Sequence, residues 1–149
     1  MVGPAVILDA GPLGLLANPQ LTRATAAGLQ WLGQLLAAGR RVVVPAVADY
    51  EVRRELLRLR AVQSVASLDA LAQRLEYLPV SYDAFRLAAE FWAQARQGGY
   101  PTAPDPALDS DVILAAQAAT LGAPAVVATA NLRHLSRFVP ADLWQNIVP

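Results

Sequence analysis

The sequence contains no cysteine and no lysine, and only one histidine, His134. Each absence removes a class of chemistry. Without cysteine there is no thiol nucleophile, zinc–thiolate site or disulfide. Without lysine there is no Schiff base, Walker A loop or Ser-Lys dyad. One histidine cannot build a multi-histidine metal site. Charge is scarce as well: 16% of residues are charged, and 12 basic residues, all arginine, balance 12 acidic ones. That balance argues against a nucleic-acid-coating protein, while leaving room for a local basic patch. No uncharged apolar run is long enough to cross a bilayer. The first apolar stretch is broken by Asp9 and lacks a basic leader. The expectation is a soluble, cytoplasmic protein without a membrane segment or signal peptide. Chemistry is left to carboxylates, hydroxyls, amides and arginine.

What is abundant is apolar bulk, 55% of 149 residues. This opposes disorder and suits one domain, residues 1–149, burying roughly 68–70% of its unfolded surface. Val6-Ile7-Leu8, Val42-Val43-Val44 and Ala125-Val126-Val127-Ala128 read as short buried strands. Tyr77 to Val80 is a weaker strand, and Ile147-Val148 is a candidate edge strand. Helical spacing predicts helices over Leu21–Ala38, Val47–Leu59, Val65–Leu75 and Asp83–Arg96. Another opens at Asp109 or Ser110 and runs to about Leu121. Gly39 and Gly122 stand where helix-terminating glycines belong, and Ser81 where an N-cap does. Asp9-Ala10-Gly11-Pro12 reads as a turn, Gln97–Leu108 as a loop, and Thr129–Phe138 as a turn and short helix. Continuous apolar strands separated by helices predict an α/β fold: a three-layer α/β/α sandwich around a central parallel sheet.

The acids fall at suggestive places. Asp9 ends the first strand, Glu51 follows the second, Asp109 and Asp111 open the helix before the last clear strand, and Asn131 follows that strand. In open parallel sheets ligands bind beyond the carboxyl ends of the strands. Asp9, Glu51 and Asn131 come from that edge, and Asp111 reaches it if the preceding loop returns the chain there. Converging carboxylates repel one another, and a divalent cation removes that cost. All-oxygen ligation selects Mg²⁺ or Mn²⁺, ions that clamp phosphate oxygens and acidify bound water, which points to phosphodiester hydrolysis. Each residue also has a plain structural reading. Asp9 can start a turn, Asp111 can favour a helix N-terminus, and Glu51 can belong to a solvated charged face. Thr129 and Asn131 can be turn residues, and His134 a surface histidine. Asp109 reads as the helix cap. Tyr82, Phe85, Phe91 and Trp92 read as packing residues.

Four segments, VILDAGPLGLLAN, VVVPAVADYEVRRELLR, LDSDVILAAQAATLG and AVVATANLRHLSRF, together resemble the PIN-domain family, and most of all its VapC-type toxin ribonucleases. The resemblance spans Val6 to Phe138. It implies a Mg²⁺- or Mn²⁺-dependent endoribonuclease acting on single-stranded RNA, homodimeric, with a cognate antitoxin as partner. Asp9 matches the first acid, Glu51 the second and Asp111 the acid of the D-x-x-I/L-A-A helix. Asn131 and His134 stand where a fourth acid is usual, so the second metal is in question, with Asp109 available to compensate. The implied catalytic set is Asp9, Glu51, Asp111 and Asn131. Asp9 and Asp111 would ligate metal directly, and Glu51 through water. Thr129, Asp109 and His134 would support them, and Arg53, Arg54, Arg133 and Arg137 would contact RNA phosphates. A non-catalytic PIN-like module binding RNA or protein stays open. A phospho-acceptor signalling domain would need a lysine that the chain does not have.

Overall fold

The first strand, β1, is Ala5–Leu8, and a single residue separates it from helix α1, Ala10–Ala17. Helix α2, Arg23–Ala37, leads to β2, Val42–Pro45, followed directly by α3, Ala46–Arg58. Next come α4 (Val62–Arg74), β3 (Glu76–Leu78), α5 (Tyr82–Gln97) and α6 (Asp105–Ala119). The chain ends with β4 (Ala125–Thr129), α7 (Leu132–Leu135), β5 (Ala141–Leu143) and a 3₁₀ turn over Trp144–Asn146. The computed structural model describes residues 2–98 and 105–149, without the side chains of 105 and 106.

The strands form one sheet in the order β3-β2-β1-β4-β5, and every pairing is parallel. β1 and β2 are buried along their whole length, as a sheet covered on both faces requires. Alternation along the strands divides the core. Val6, Leu8, Val42 and Val44 pack with residues of α1 to α4 on one face. Ala5, Ile7, Val43 and Val127 pack with Leu114, Ala115 and Ala118 of α6 on the other. The three-layer α/β/α architecture expected from the sequence is therefore the one observed.

Several expectations need correction. The turn expected at Gly11-Pro12 is the first turn of α1. Pro12 is tolerated there because its missing amide would have no intrahelical partner. The helix before β4 opens at Asp105, inside the expected Gln97–Leu108 loop, so Asp109 is an interior helical residue and not its cap. Residues 99–104 of that loop lie outside the described residues. The edge strand is Ala141–Leu143, not Ile147-Val148. Pro140 and Asp142 interrupt the apolar run and hide it. Gly39 and Gly122 do adopt left-handed φ values of 79° and 81° after their helices, as expected.

Ile147 and Val148 are instead held by their carbonyls. Trp31 Nε1 donates to Ile147 O at 2.9 Å, and Trp31 meets Trp144 edge-on at 5.3 Å. Arg40, only 8% exposed, donates to Pro4 O at 2.9 Å and Val148 O at 2.8 Å, tying both ends of the chain to the start of β2. Arg40→Met removes both charge-assisted bonds and should cost about 2–3 kcal/mol, read as a lower urea midpoint at unchanged slope. A loss under about 0.5 kcal/mol would refute the clamp.

Candidate active site

The carboxyl edge of the sheet brings Glu51 and Asp111, from distant parts of the chain, within electrostatic reach of Asp9. Asp9 follows β1 and is the N-cap of α1, its Oδ1 accepting from the Ala10 amide at 2.7 Å. Its Oδ2 accepts from Thr129 Oγ1 at 2.8 Å, across the parallel β1–β4 pair. Thr129 is completely buried at the end of β4, and its Oγ1 also accepts from the Asn131 amide at 3.0 Å. Both oxygens of Asp9 thus have fixed partners, and the side chain is aimed by strand, helix and threonine together.

Glu51 lies in the second turn of α3, and Asp111 in α6, which packs against α3. Both acids sense Asp9, and Glu51 also senses Asp111. Burial and then the negative charge of Asp9 lift the Asp111 carboxyl from its ordinary 3.8 to about 6, while His134 and Arg137 pull the other way. Glu51 is raised as well, first by burial and then by Asp9. Arg54 opposes this, Asp111 adds to it, and a side-chain hydrogen bond with Ser110 opposes it. Two carboxyls raised by burial and by shared negative charge form a site short of positive charge.

Among the described residues no three acid or imidazole groups are gathered into a ready-made metal cage. The donor set nevertheless fits a hard divalent cation: it is all oxygen, partly buried and mutually repulsive, and a cation relieves that repulsion. Asp9, Glu51 and Asp111 are the residues that could supply oxygens to such an ion.

The remaining expected residues separate. Asn131 is exposed after β4, and its side chain makes no capping bond to α7. His134 and Arg137 are half-buried and close enough to influence Asp111, and the Arg137 guanidinium lies 5.0 Å from the Phe138 ring. Asp109 is not brought to the acids; it is exposed and lines a 360 Å³ apolar groove with Phe85, Trp92 and Val112. Two residues apart on a helix means nearly opposite faces, which is why Asp111 points in and Asp109 does not. Arg53 is committed elsewhere: it pairs with Asp49 at 3.0 Å and Asp69 at 2.7 Å, joining α3 to α4. Arg54 is exposed, stacks 5.1 Å from Tyr50, and borders a 480 Å³ recess shared with Glu51, Gly11 and Gly14. Arg133 is exposed on α7. The Phe91 expectation of packing holds, against Phe138 at 5.0 Å, whereas Tyr82, Phe85 and Trp92 are exposed.

Two polar residues at the site were missed in the sequence. Ser110, beside Asp111, bonds to Glu51. Gln117, 1% exposed, accepts from the Val47 amide through Oε1 at 3.3 Å and donates to Leu78 O through Nε2 at 2.8 Å. The signal for Gln117 was a lone polar residue in the apolar stretch Val112–Ala119.

A profile of the PIN domain matches residues 23–138. Among curated proteins none matches the sequence. Solved structures match the fold across nearly all of both chains. VapBC2 from Rickettsia felis, bound to a promoter DNA fragment, is 17% identical at a TM-score of 0.72, covering 94% of this chain and 98% of that one. DNA-bound VapBC from Salmonella typhimurium is 19% identical at 0.70, covering 95% and 99%. VapBC-5 from Mycobacterium tuberculosis, of the VapBC family of toxin–antitoxin systems, is 23% identical at 0.56, covering 94% and 98%.

Proposed function

Because the chain belongs to the PIN-domain family, we propose that it is a metal-dependent endoribonuclease cutting single-stranded RNA, the toxin of a toxin–antitoxin pair. The observation that carries this reading is the convergence of Asp9, Glu51 and Asp111 at the carboxyl edge of a parallel sheet, with Glu51 and Asp111 held above their ordinary protonation range.

Asp9 and Asp111 would hold Mg²⁺ or Mn²⁺ directly and Glu51 through water. When bound, the ion would supply charge neutralisation at the phosphate and a more acidic water. Hydrolysis forms a P–O bond from water and breaks the bond to the departing ribose oxygen, which takes a proton from solvent and leaves as a hydroxyl. Glu51, a stronger base than an exposed glutamate because its pKa is raised, orients that water and accepts its proton. Thr129 keeps Asp9 in its rotamer. Arg54, Arg133 and Arg137 contact phosphates, and Arg53 leaves that group because Asp49 and Asp69 occupy it. Arg137 puts positive charge beside Asp111, and Asn131 and His134 stand where a further acid is usual in the family, which favours a single ion.

The solved VapBC neighbours include complexes bound to DNA, and we extend the VapB–VapC pairing to this chain as an antitoxin partner. A homodimer acting in the cytoplasm completes the reading. Co-purification with a co-expressed antitoxin, and the mass by light scattering, test these two parts; a monomer at micromolar concentration would remove the dimer.

The direct test is cleavage of a mixed single-stranded and structured RNA pool with Mn²⁺, Mg²⁺ or EDTA. Metal-dependent cutting of single strands is expected. RNA binding without cutting, by folded protein, would establish a non-catalytic module instead. Thr129→Val, nearly isosteric, removes the donor to Asp9 and should lower the cleavage rate about 10–100-fold. An unchanged rate would show that Asp9 needs no such support.

A further inference from the structure

Among the described residues the α3–α6 contact carries two polar links. Ser110 on α6 meets Glu51 on α3, and Gln117 on α6 meets the Val47 amide at the start of α3. Ser110 and Gln117 are seven residues apart and Val47 and Glu51 four, spacings that put each pair on one helix face. The two links run in opposite chain directions, so the helices pass antiparallel and the links act as two pins. A single pin permits sliding and rotation; two do not.

The Gln117 pin is the buried one. Helix α3 begins at Pro45, which offers no side-chain cap, so the Val47 amide is one of the helix's orphan donors. Gln117 fills that vacancy from another helix. Its other amide atom grips Leu78 O at the end of β3, so the same side chain fixes α3, α6 and the sheet. An apolar residue of equal size would fill the space equally well and fit the neighbouring alanines better. The amide is therefore not explained by packing. One turn along α3 from the pinned amide is Glu51, and under two turns back along α6 is Asp111.

We infer that Gln117 is a positioning residue that fixes the register of α3 against α6 and so sets the spacing between Glu51 and Asp111. It touches neither RNA nor ion and acts only through the helices. The inference rests on the nuclease reading for its functional part, but not for its structural part.

Because the chain lacks cysteine, spin labels can be placed cleanly at exposed positions, with Leu57→Cys on α3 and Ala119→Cys on α6. Gln117→Met should shift or broaden the label distance. It should weaken Mn²⁺ binding, read by electron paramagnetic resonance, and lower kcat by about tenfold or more with KM within about twofold. Gln117→Glu keeps the acceptor for Val47 and should fall between wild type and Gln117→Met in each readout. Leu35→Ala, in α2 on the other face of the sheet, supplies a comparable loss of melting temperature and should change neither distance nor kcat. An unchanged label distance in both Gln117 variants, or an equal kcat loss in Leu35→Ala, would overturn the inference. Wild-type protein that neither binds Mn²⁺ nor cuts RNA would defeat the nuclease reading, and the label distance would then decide the register by itself.

Discussion

Asp111→Asn will abolish RNA cleavage and at the same time stabilise the metal-free protein. The two effects have one cause. Asp111 is raised to about 6 because burial and the charge of Asp9 oppose its ionised form. At neutral pH the folded chain bears that repulsion, and the unfolded chain does not. Asparagine keeps the shape and removes the charge. A full shift of this size corresponds to about 3 kcal/mol, and partial solvent access reduces the expected gain to about 1–2 kcal/mol at pH 7.5. For a chain of this length that is a melting temperature higher by roughly 3–8 °C. The cleavage rate should fall at least about 10²–10³-fold, since in the proposed nuclease the variant loses a charge that would hold the ion. Asp9→Asn should lose as much activity but gain less stability, because Asp9 serves as the N-cap of α1 and as the acceptor of Thr129. Parallel thermal melts and cleavage time courses read both effects. A less stable Asp111→Asn, or one that cuts at the wild-type rate, would refute the assignment.

Mn²⁺ or Mg²⁺ will stabilise the protein, and will cancel the loss of stability that rising pH causes through these acids. In the metal-free chain Asp111 binds its proton more tightly folded than unfolded, and Glu51 shifts in the same direction. More protons are bound by the native state, so stability is greatest below about pH 4 in this respect and is lost as pH rises from there through about 6. An ion, by contrast, needs the carboxylates deprotonated, so its contribution grows as pH rises through the same window. At a hundred times its dissociation constant it should add about 2.7 kcal/mol at pH 7.5. Melting curves from pH 5 to 8 should therefore fall as pH rises with EDTA and stay nearly level with saturating Mn²⁺, because the ion-bound folded chain and the unfolded chain both carry ionised acids there. Parallel slopes would mean that the ion does not bind at these acids. The Asp111→Asn protein should show a flattened slope and little response to metal.

The strands that β1, β2 and β4 occupy were legible because each is a short apolar run bounded by turn residues. The acids at their ends were legible because a charge directly after a buried strand needs a reason to be there. Helix α1 was not. Leu13, Leu16 and Ala17 are buried, but the helix carries no polar face, so no helical period is visible, and Gly11-Pro12 imitates a turn. Asp109 was given a capping role because α6 seemed to begin at the acids; it begins at Asp105, and Asp109 then falls on the outward face. Arg53 looked available in a charged stretch, yet its partner Asp69 lies on the next helix, 16 positions away, where no local rule connects them. Gln117 joins residues separated by 70 and 39 positions, so its partners could not be read from spacing at all. Local rules identified the residues that carry charge, and tertiary structure decided which of them face one another.

The central place of β1, between β2 and β4, has a consequence for the chain during its own synthesis. Asp9 is made early, but its partner Thr129 lies 120 residues later. At roughly 5–20 residues per second, that gap lasts about 6–24 s on the ribosome. Throughout it, β1 has no β4 beside it and Asp9 has no threonine to aim it. A nascent chain, or any fragment ending before β4, therefore lacks both the strand that covers that edge of β1 and the hydroxyl that fixes the Asp9 side chain.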